Sequence, residues 1–396
     1  MTKKQEAHRG EQAAERSAQR AEHRRLRVGV IFGGRSGEHD VSLMSARSVM
    51  DALDPEKYEV VPIGITRSGQ WLAGDVMTAL TGGNDSAARP ATLLPNPQTR
   101  SLMRMEPRAA ARASLSEVAA LDVVLPILHG PYGEDGTVQG LLELAGLPYV
   151  GAGVTGSAVG MDKAIFKSVM EAHGIPIVPW RLVLISDWRV RGNAVLDDLE
   201  AELSYPVFTK PANLGSSVGI SRCTSRAELA EGVVTAARYD RRIVVEQGIS
   251  ARELEVAVLG NDAPAASIVG EIRPRRSFYD YVAKYVSDDS ELLIPAPLDD
   301  MVASEVRSLA LRAYMAIDCA GMGRVDLLLD RHDGTLYLNE INTIPGFTEI
   351  SMYPKLWEAS GLPYPKLLDR LIELAIERHQ IRSNLATASP TEVDVC

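Results

Sequence analysis

The sequence predicts a multidomain protein of the α/β and α+β classes, whose N-terminal domain contains an open parallel sheet. The run LRVGVIFGG, followed by RSGEHDVSLMSARSVMDAL, indicates a strand, a glycine-rich turn and an amphipathic helix. The run LDVVLPILHG is almost continuously apolar, which is typical of a buried parallel strand. The alternating runs RVDLLLD and TLYLNEIN flank His332, Asp333 and Gly334 and predict a β-hairpin.

The composition indicates a globular protein whose ligands are small molecules. A chain of 396 residues, 45% of them hydrophobic, can form two or three domains with their own cores. The net charge of −10 argues against nucleic acid as the main partner. Three scattered cysteines fit neither a disulfide framework nor a zinc site, so we expect a reducing compartment. No apolar run approaches the ~18 residues of a membrane span, so we expect a cytoplasmic protein without a membrane partner.

The N-terminal region divides into a tail and a first domain. Residues 1–26 carry few large apolar side chains and many charges, so we expect a disordered extension. The first domain is predicted over residues 27–153. Glu38 lies at the mouth of its glycine-rich turn, where an acid can cap the following helix or bind a substrate ammonium group. The residues alone favour the cap.

Two further segments complete the predicted first domain. Residues 73–116 are rich in Gly, Ala, Pro, Asn and Ser, which indicates an irregular insertion or long loops. The buried strand LDVVLPILHG ends at His129, at the same sheet edge as Glu38. A lone histidine is often an ordinary loop residue, but a strand's carboxyl end is the usual ligand position in such sheets.

A second domain is predicted over residues 154–248. Lys163 lies in the first turn of a helix, where a cation is unfavourable unless an anion is nearby. Lys210 ends a strand that precedes the glycine- and serine-rich loop NLGSSVG. Such a loop can cover phosphates, although a flexible hairpin fits the bare pattern equally well. Glu246, at the end of the next strand, is a candidate ribose or adenine contact or an ordinary surface charge.

A third domain is predicted over residues 249–382, followed by a frayed tail at 383–396. Glu253 is a second candidate nucleotide contact. The polar, aromatic segment 277–290 has the length of a functional loop or lid. The hairpin and a closing amphipathic helix follow it.

The hairpin carries a candidate metal site. A three-residue loop with Gly334 in the left-handed conformation places Arg331 opposite Thr335, Asp326 opposite Glu340, and Arg324 opposite Asn342. On this count Leu328, Leu336 and Leu338 continue the same face. Two carboxylates and an amide oxygen in one place suit Mg²⁺ or Mn²⁺ holding nucleotide phosphates. Ordinary surface charges explain the bare spacing about equally well.

Seven motifs in a fixed order resemble those of ATP-grasp ligases, and more narrowly of the D-alanine:D-alanine ligase family. Together they span residue 27 to about residue 380. The N-terminal tail, residues 73–116 and the last residues fall outside the resemblance. The motifs are GGRSGEHDVS, LHGPYGEDGTVQG, MDK, VFTKPANLGSSVG, SFYDYVAKY, GMGRVDLLL and YLNEINTIPGFT.

The resemblance implies a three-domain ATP-grasp fold and a role for each matching residue. Glu38 binds the ammonium of the first D-alanine and forms a trio with Ser216 and Tyr285 that closes the lid. Ser351 holds the carboxylate of the second D-alanine, beside the substrate candidate His129. Gln247 replaces a lysine that contacts adenine in the family. The implied ATP contacts are Lys163, Lys210, Lys284, Glu246, Ile249 and Glu253; the implied ligands of two Mg²⁺ or Mn²⁺ ions are Asp326, Glu340 and Asn342.

The resemblance also implies a reaction, a cytoplasmic homodimer and a role in peptidoglycan synthesis. The first D-alanine attacks the γ-phosphate of ATP and becomes an acyl phosphate. The second D-alanine attacks the activated carbonyl, while Arg324 and the Gly346 backbone N–H stabilise the oxyanion. Joining D-alanine to D-lactate is the nearest alternative, and Tyr285 favours the dipeptide. Another ATP-grasp carboxylate–amine ligase and a non-catalytic ATP-binding module are the remaining alternatives.

Overall fold

Three β-sheets organise the chain. A computed structural model describes residues 24–82, 88–108, 112–215, 217–274, 290–348 and 350–385. The sheets contain seven, four and five strands and follow one another along the sequence. Each of the three predicted domains contains one sheet, while the domain boundaries themselves stay a prediction. Most of the predicted N-terminal extension, lid and frayed tail lies outside the described residues, but residues 24–26 are described and Leu26 begins the first strand.

The first sheet is parallel only at one end. β1 pairs in parallel with β2 and β7, whereas the strands from β2 to β6 pair antiparallel. The expectation of an irregular insertion at residues 73–116 is wrong, because β4, β5 and part of β6 lie there and extend the sheet. The elements are β1 (Leu26–Gly33), α1 (His39–Ala52), β2 (Tyr58–Ile65), β3 (Trp71–Ala73), α2 (Val76–Leu80), β4 (Arg89–Leu93), β5 (Ser101–Arg108), β6 (Arg112–Ala120), β7 (Val123–Ile127) and α3 (Thr137–Leu144).

The second sheet is antiparallel, in the order β10-β9-β11-β8. Two helices precede it. The predicted strand that carries Lys210 and the predicted strand that ends near Glu246 are neighbours in it. The elements are α4 (Val154–Met161), α5 (Lys163–Ala172), β8 (Trp180–Leu184), α6 (Ile185–Glu202), β9 (Val207–Pro211), β10 (Ser221–Cys223), α7 (Arg226–Ala236) and β11 (Arg242–Gln247).

The third sheet contains the predicted hairpin, in the order β14-β13-β12-β15-β16. All its pairings are antiparallel. The elements are β12 (Ala251–Leu259), β13 (Ala265–Pro274), β14 (Ser290–Leu293), α8 (Asp300–Ala316), β15 (Met322–Asp330), β16 (Leu336–Asn342), α9 (Met352–Ala359) and α10 (Tyr364–Ser383).

The first and the last elements of the described chain share one core. Val28 and Leu125 of the first sheet belong to the same buried cluster as Leu367 and Leu371 of α10 and Phe347 of the segment after the hairpin. Burial of apolar surface therefore holds the segment after the hairpin against the first sheet. None of the helices in the described part of the chain combines the length and the hydrophobicity that a membrane span requires.

Candidate active site

A row of carboxylates crosses three neighbouring strands of the third sheet. Glu255 of β12 lies opposite Asp326 of β15, and Asp326 lies opposite Glu340 of β16. Arg324 lies opposite Asn342. Directly opposed residues place their side chains on the same face of a sheet. The predicted pairs of the hairpin are confirmed, and Glu255 is a further carboxylate beside them.

The hairpin has this register although its loop differs in length from the predicted one. The predicted three-residue loop is wrong, because Asp330, and not Arg331, pairs with Thr335: the Asp330 N–H donates to the Thr335 carbonyl at 2.9 Å. Gly334 has the predicted positive φ, at 75°. An irregularity between the pairs Asp326–Glu340 and Leu327–Leu338 leaves one extra residue in β16, which restores the predicted pairing at the polar end.

The same irregularity moves two leucines to the other face. Leu338 lies opposite Leu327, and Leu336 lies opposite Leu329. Leu336 and Leu338 are buried in the core with Val325 and Leu327, so their predicted place beside Leu328 on the polar face is wrong. Leu328 borders the cavity. A one-residue shift exchanges the two faces of a strand.

Arg324 is held within the carboxylate row. Its Nε and Nη2 donate to the two Asp326 oxygens at 2.7 and 2.6 Å. Its Nε also lies 3.1 Å from Glu255 Oε2. The Asn342 amide donates to Asp326 Oδ2 at 3.0 Å. The guanidinium thus neutralises charge that the neighbouring carboxylates would otherwise concentrate.

The donors of the row fit a hard divalent cation. Asp326, Glu340 and Asn342 offer carboxylate and amide oxygens on one face, which is the donor set that Mg²⁺ and Mn²⁺ favour. Within the described ranges, no three His, Cys, Asp or Glu side chains are grouped as a metal site. A cation here would therefore depend on the amide and on oxygens from a ligand such as a nucleotide phosphate.

Two cavities meet above this row. The first, of about 160 Å³, is lined by Glu38, Glu134, Lys163, Arg324 and Asn342, among others. The second, of about 780 Å³, is lined by residues of β11 and β12 and by the hairpin. Both cavities share Lys210 and Glu340. The larger one has room for a nucleotide, and the smaller one suits an amino acid.

Two lysines hold Glu246 at the inner wall of the larger cavity. Lys167 Nζ lies 3.0 Å from Glu246 Oε2, and Lys210 forms an ion pair with the other carboxylate oxygen. Burial alone would raise the pKa of Glu246, but the two ammonium groups outweigh it and lower the pKa to about 2. The Glu246 side chain is therefore an ion-pair partner of Lys210.

Lys163 takes the predicted place in the first turn of α5. Its Nζ donates to the Leu214 carbonyl at 2.7 Å, in the loop after β9. Asp162 caps the same helix by accepting from the Ile165 N–H at 3.0 Å. Lys163 thus borders the smaller cavity while it contacts the loop that was predicted to cover phosphates.

The larger cavity is also lined by Gln247 and by two predicted nucleotide contacts. Gln247, Ile249 and Glu253 all line it. The Gln247 amide accepts from the Ser204 N–H at 2.8 Å and donates to the Gly248 carbonyl at 3.2 Å. These hydrogen bonds fix the Gln247 side chain against the cavity wall.

Glu38 faces the cleft and does not cap its helix. It occupies the N-cap position of α1 but makes no side-chain capping hydrogen bond, so the cap favoured from the residues alone is wrong. A Cβ placed on Gly130 would lie 2.8 Å from Glu38 Oε2, and one on Gly215 would lie 3.1 Å from it. Because these two residues are glycines, the loop after β9 and the loop that follows His129 can both approach the Glu38 carboxylate closely.

His129 lies behind Glu38 and links two parts of the chain. Its Nδ1 lies 3.1 Å from the Ile344 carbonyl, and its Nε2 lies 3.5 Å from Ser45 Oγ. Burial lowers the pKa of His129, so the ring is neutral and its Nδ1–H donates to the carbonyl. The sequence placed His129 near the site, and the structure shows it tying β7 to the segment after the hairpin.

Glu134 makes the second tie between the same two segments. Its carboxyl oxygens accept from the Gly130 N–H at 2.7 Å and from the Ile344 N–H at 3.1 Å. Burial and the nearby Glu38 raise the pKa of Glu134 to about 8. The carboxyl is therefore largely protonated at neutral pH, and it borders the smaller cavity.

Gly346 and Ser351 lie in one turn after the hairpin. A Cβ on Gly346 would approach Ser351 Oγ to 2.9 Å. Ser351 Oγ accepts from the Thr348 N–H at 3.1 Å and lies 2.7 Å from Thr348 Oγ1. The predicted site residues Ser216, Lys284 and Tyr285 lie outside the described residues.

Three site residues were missed by sequence reasoning, although each had a signal. Lys167 follows Lys163 by four residues and shares its helix face. Glu255 follows Glu253 by two residues and shares its strand face. Glu134 lies in the loop after the strand that ends at His129.

Comparison with known proteins identifies the family. Residues 27–152 match the model "D-ala D-ala ligase N-terminus", and residues 169–373 match "D-ala D-ala ligase C-terminus". The D-alanine–D-alanine ligase of Heliobacterium modesticaldum is 49% identical over 361 residues, which cover 91% of this chain and 97% of that protein. The enzyme of that name from Geobacillus thermodenitrificans is 47% identical and covers 90% of this chain and 97% of its own.

Solved structures of similar ligases support the same family. The D-alanine–D-alanine ligase of Coxiella burnetii is similar with a TM-score of 0.75 and 38% identity, covering 91% of this chain and 96% of that one. The VanG D-Ala:D-Ser ligase of Enterococcus faecalis has a TM-score of 0.78 and 34% identity, covering 89% and 100%. Ligases of this family have the ATP-grasp fold, which confirms the predicted fold class. The chain belongs to the D-alanine–D-alanine ligase family.

Proposed function

We propose that this protein joins two D-alanine molecules to D-alanyl-D-alanine for peptidoglycan precursor synthesis, converting ATP to ADP and phosphate. One observation carries the proposal beyond family membership. A small cavity that contains Glu38 and Arg324 adjoins a larger cavity that contains Ile249 and Glu253, and the two share Lys210. A terminal phosphoryl group at the junction would meet an amino acid carboxylate.

The nucleotide occupies the larger cavity. Its adenine lies against the main chain near Glu246 and Ile249, and Glu253 binds the ribose. Lys163, Lys210 and Lys284 pair with the phosphates. Mg²⁺ or Mn²⁺ ions held by Asp326, Glu340 and Asn342 neutralise phosphate charge during transfer when they are bound.

The reaction has two steps. The carboxylate of the first D-alanine, whose ammonium Glu38 binds, attacks the γ-phosphorus, and ADP leaves. The amine of the second D-alanine, whose carboxylate Ser351 holds beside His129, attacks the acyl phosphate; it loses a proton and phosphate departs. Arg324 and the Gly346 N–H stabilise the oxyanion between these events, a contribution of about 2.7–4 kcal/mol per donor in comparable sites. The trio of Glu38, Ser216 and Tyr285 closes the lid and excludes water.

Product identification tests this function. We expect ADP, phosphate and D-alanyl-D-alanine when the protein is mixed with ATP, Mg²⁺ and D-alanine, and none with L-alanine. D-Serine and D-lactate are included as second substrates because they separate this reaction from those of related ligases. Phosphate release that does not depend on any D-amino acid would contradict the proposal.

We further propose a cytoplasmic homodimer. The family resemblance supports the dimer, and the use of ATP supports the compartment. Sedimentation at several protein concentrations checks the dimer, since a single species with the mass of 42.9 kDa at all concentrations would exclude it.

A further inference from the structure

The carboxylate row contains one more acid than the proposed metal site uses. Glu255 neighbours Asp326 directly on the adjacent strand, on the side away from Glu340. The Glu255 side chain is 9% exposed and that of Arg324 is 16% exposed. A carboxylate buried this far lowers stability unless it has a charged or hydrogen-bonding partner. The contact with Arg324 provides that partner.

Arg324 divides its contacts unequally between the two acids. It makes a bidentate pair with Asp326, at 2.7 and 2.6 Å. Its contact with Glu255 is longer, with Nε 3.1 Å from Glu255 Oε2. Such a fork-to-fork pair occupies both oxygens of a carboxylate.

The proposed function requires Asp326 to leave this pair. A divalent cation needs an Asp326 oxygen and repels a guanidinium that shares the same carboxylate. An arginine without a partner in a half-buried site would oppose metal binding. Glu255 already contacts Arg324 and can accept a hydrogen bond that Arg324 withdraws from Asp326.

We propose that Glu255 is a positioning residue, to which Arg324 transfers when a divalent cation binds Asp326. The inference rests on the proposed function, because it takes Asp326 as a metal ligand. The transfer keeps Arg324 charged, paired and at the edge of the smaller cavity, where the transferring phosphoryl group and the oxyanion form. Metal binding and the placement of Arg324 are thereby coupled.

Titration of Mn²⁺ tests the proposal without turnover. The full-length protein with ADP is titrated, and free Mn²⁺ is measured by its electron paramagnetic resonance signal. Glu255→Gln is expected to weaken Mn²⁺ binding about tenfold, the effect of losing one charge-assisted hydrogen bond. Glu255→Asp keeps the charge but ends one carbon short of Arg324, and it is expected to weaken binding as well. Thermal unfolding is measured for each variant, and Mn²⁺ binding is interpreted only for folded protein.

Two outcomes of this titration overturn the proposal. If Glu255→Asp binds Mn²⁺ as the wild type does, Glu255 acts only through its charge. If Glu255→Gln binds as the wild type does, Glu255 has no role in metal binding.

The Arg324→Met background separates positioning from direct ligation. Arg324→Met removes the competitor and is expected to tighten Mn²⁺ binding several-fold. In that background Glu255→Asp is expected to have no further effect, since it acts through Arg324. An equal loss of affinity in both backgrounds would instead show that Glu255 is itself a ligand.

Failure of this inference is distinguishable from failure of the proposed metal site. Asp326→Asn should abolish Mn²⁺ binding whatever Glu255 does. If Asp326→Asn binds normally, the metal site is wrong. If it does not bind while the Glu255 variants bind normally, only the transfer of Arg324 is wrong. In turnover with saturating Mg²⁺, Glu255→Gln should lower kcat and leave the KM for ATP unchanged.

Discussion

Glu134 and Glu246 are two carboxyl groups of the same cleft that differ in their pairing with cations. Burial raises the pKa of both groups. For Glu246 the ammonium groups of Lys167 and Lys210 reverse the effect, and its pKa falls to about 2. For Glu134 the neighbouring Glu38 adds to the effect, and its pKa rises to about 8. The charge of a buried acid here depends on its partners more than on its depth.

The difference separates two tasks. Glu246 stays charged and holds Lys210 at the junction of the two cavities, where we propose that the phosphates bind. Glu134 gives up most of its charge and joins the Gly130 and Ile344 backbone groups, which keeps the segment before Gly346 beside the Glu38 loop. The predictions below test this contrast.

Removal of the Glu246 charge is expected to have the largest effect. Glu246→Gln leaves Lys167 and Lys210 without their carboxylate, and breaking a buried pair costs about 3–5 kcal/mol of unfolding free energy. Urea denaturation near pH 7 measures the loss. Glu134→Gln is the matched control, since it removes a carboxyl group that is already mostly neutral. Equal losses in both variants would contradict the contrast.

Acid should remove the advantage that wild type has over Glu246→Gln. The folded pKa of Glu246 is about 2, below its ordinary value of 4.5, so its charge stabilises the fold above pH 4.5. That contribution, of order 3 kcal/mol, is lost as the pH falls from 4.5 towards 2. Urea midpoints of wild type and Glu246→Gln should therefore converge below pH 3. A difference that stays constant from pH 6 to pH 3 would show that the pKa of Glu246 is not lowered.

Removal of one lysine should lower the unfolding free energy by less, and the loss should be larger for the more buried lysine. The Lys167 side chain is 3% exposed and that of Lys210 is 15% exposed. Lys167→Met leaves Glu246 with a single partner, and we expect a loss of about 2 kcal/mol of unfolding free energy. Lys210→Met should lose less stability but raise the KM for ATP, because Lys210 borders both cavities. If Lys210→Met is the less stable variant and ATP binding is unchanged, the two lysines have exchanged roles.

The stability of the protein should depend on Glu134 with the opposite pH dependence. Its folded pKa of about 8 lies above its ordinary value of 4.5, so the folded state keeps a proton that the unfolded chain releases. Wild-type stability therefore falls as the pH rises from 4.5 to 8 and is level above that. Glu134→Gln should lack this fall, so its stability relative to wild type should rise by about 2 kcal/mol between pH 6 and pH 8. Urea unfolding at pH 6, 7 and 8 measures this difference in unfolding free energy. If the unfolding free energies of the two proteins change in parallel with pH, the pKa of Glu134 is not raised.

Local patterns in the sequence predicted much of the site. The alternation of β15 and β16 gave the pairs Asp326–Glu340 and Arg324–Asn342, because strand periodicity puts every second residue on one face. The same count misplaced Leu336 and Leu338, since an extra residue in one strand leaves no mark in an alternating pattern. Residues 73–116 lacked a clear periodicity, yet they complete the first sheet by pairing with strands already in place.

The sequence by itself determined many of the elements, the polar end of the hairpin and, through its motifs, the family. The tertiary structure decided which charges meet. Lys167, Lys210 and Glu246 come from a helix and two strands, and Glu134 reaches Ile344 across 210 positions of the chain. Local sequence reports the backbone's preferences over a few residues, whereas the charge of a buried group depends on neighbours that only chain packing brings within a few ångströms.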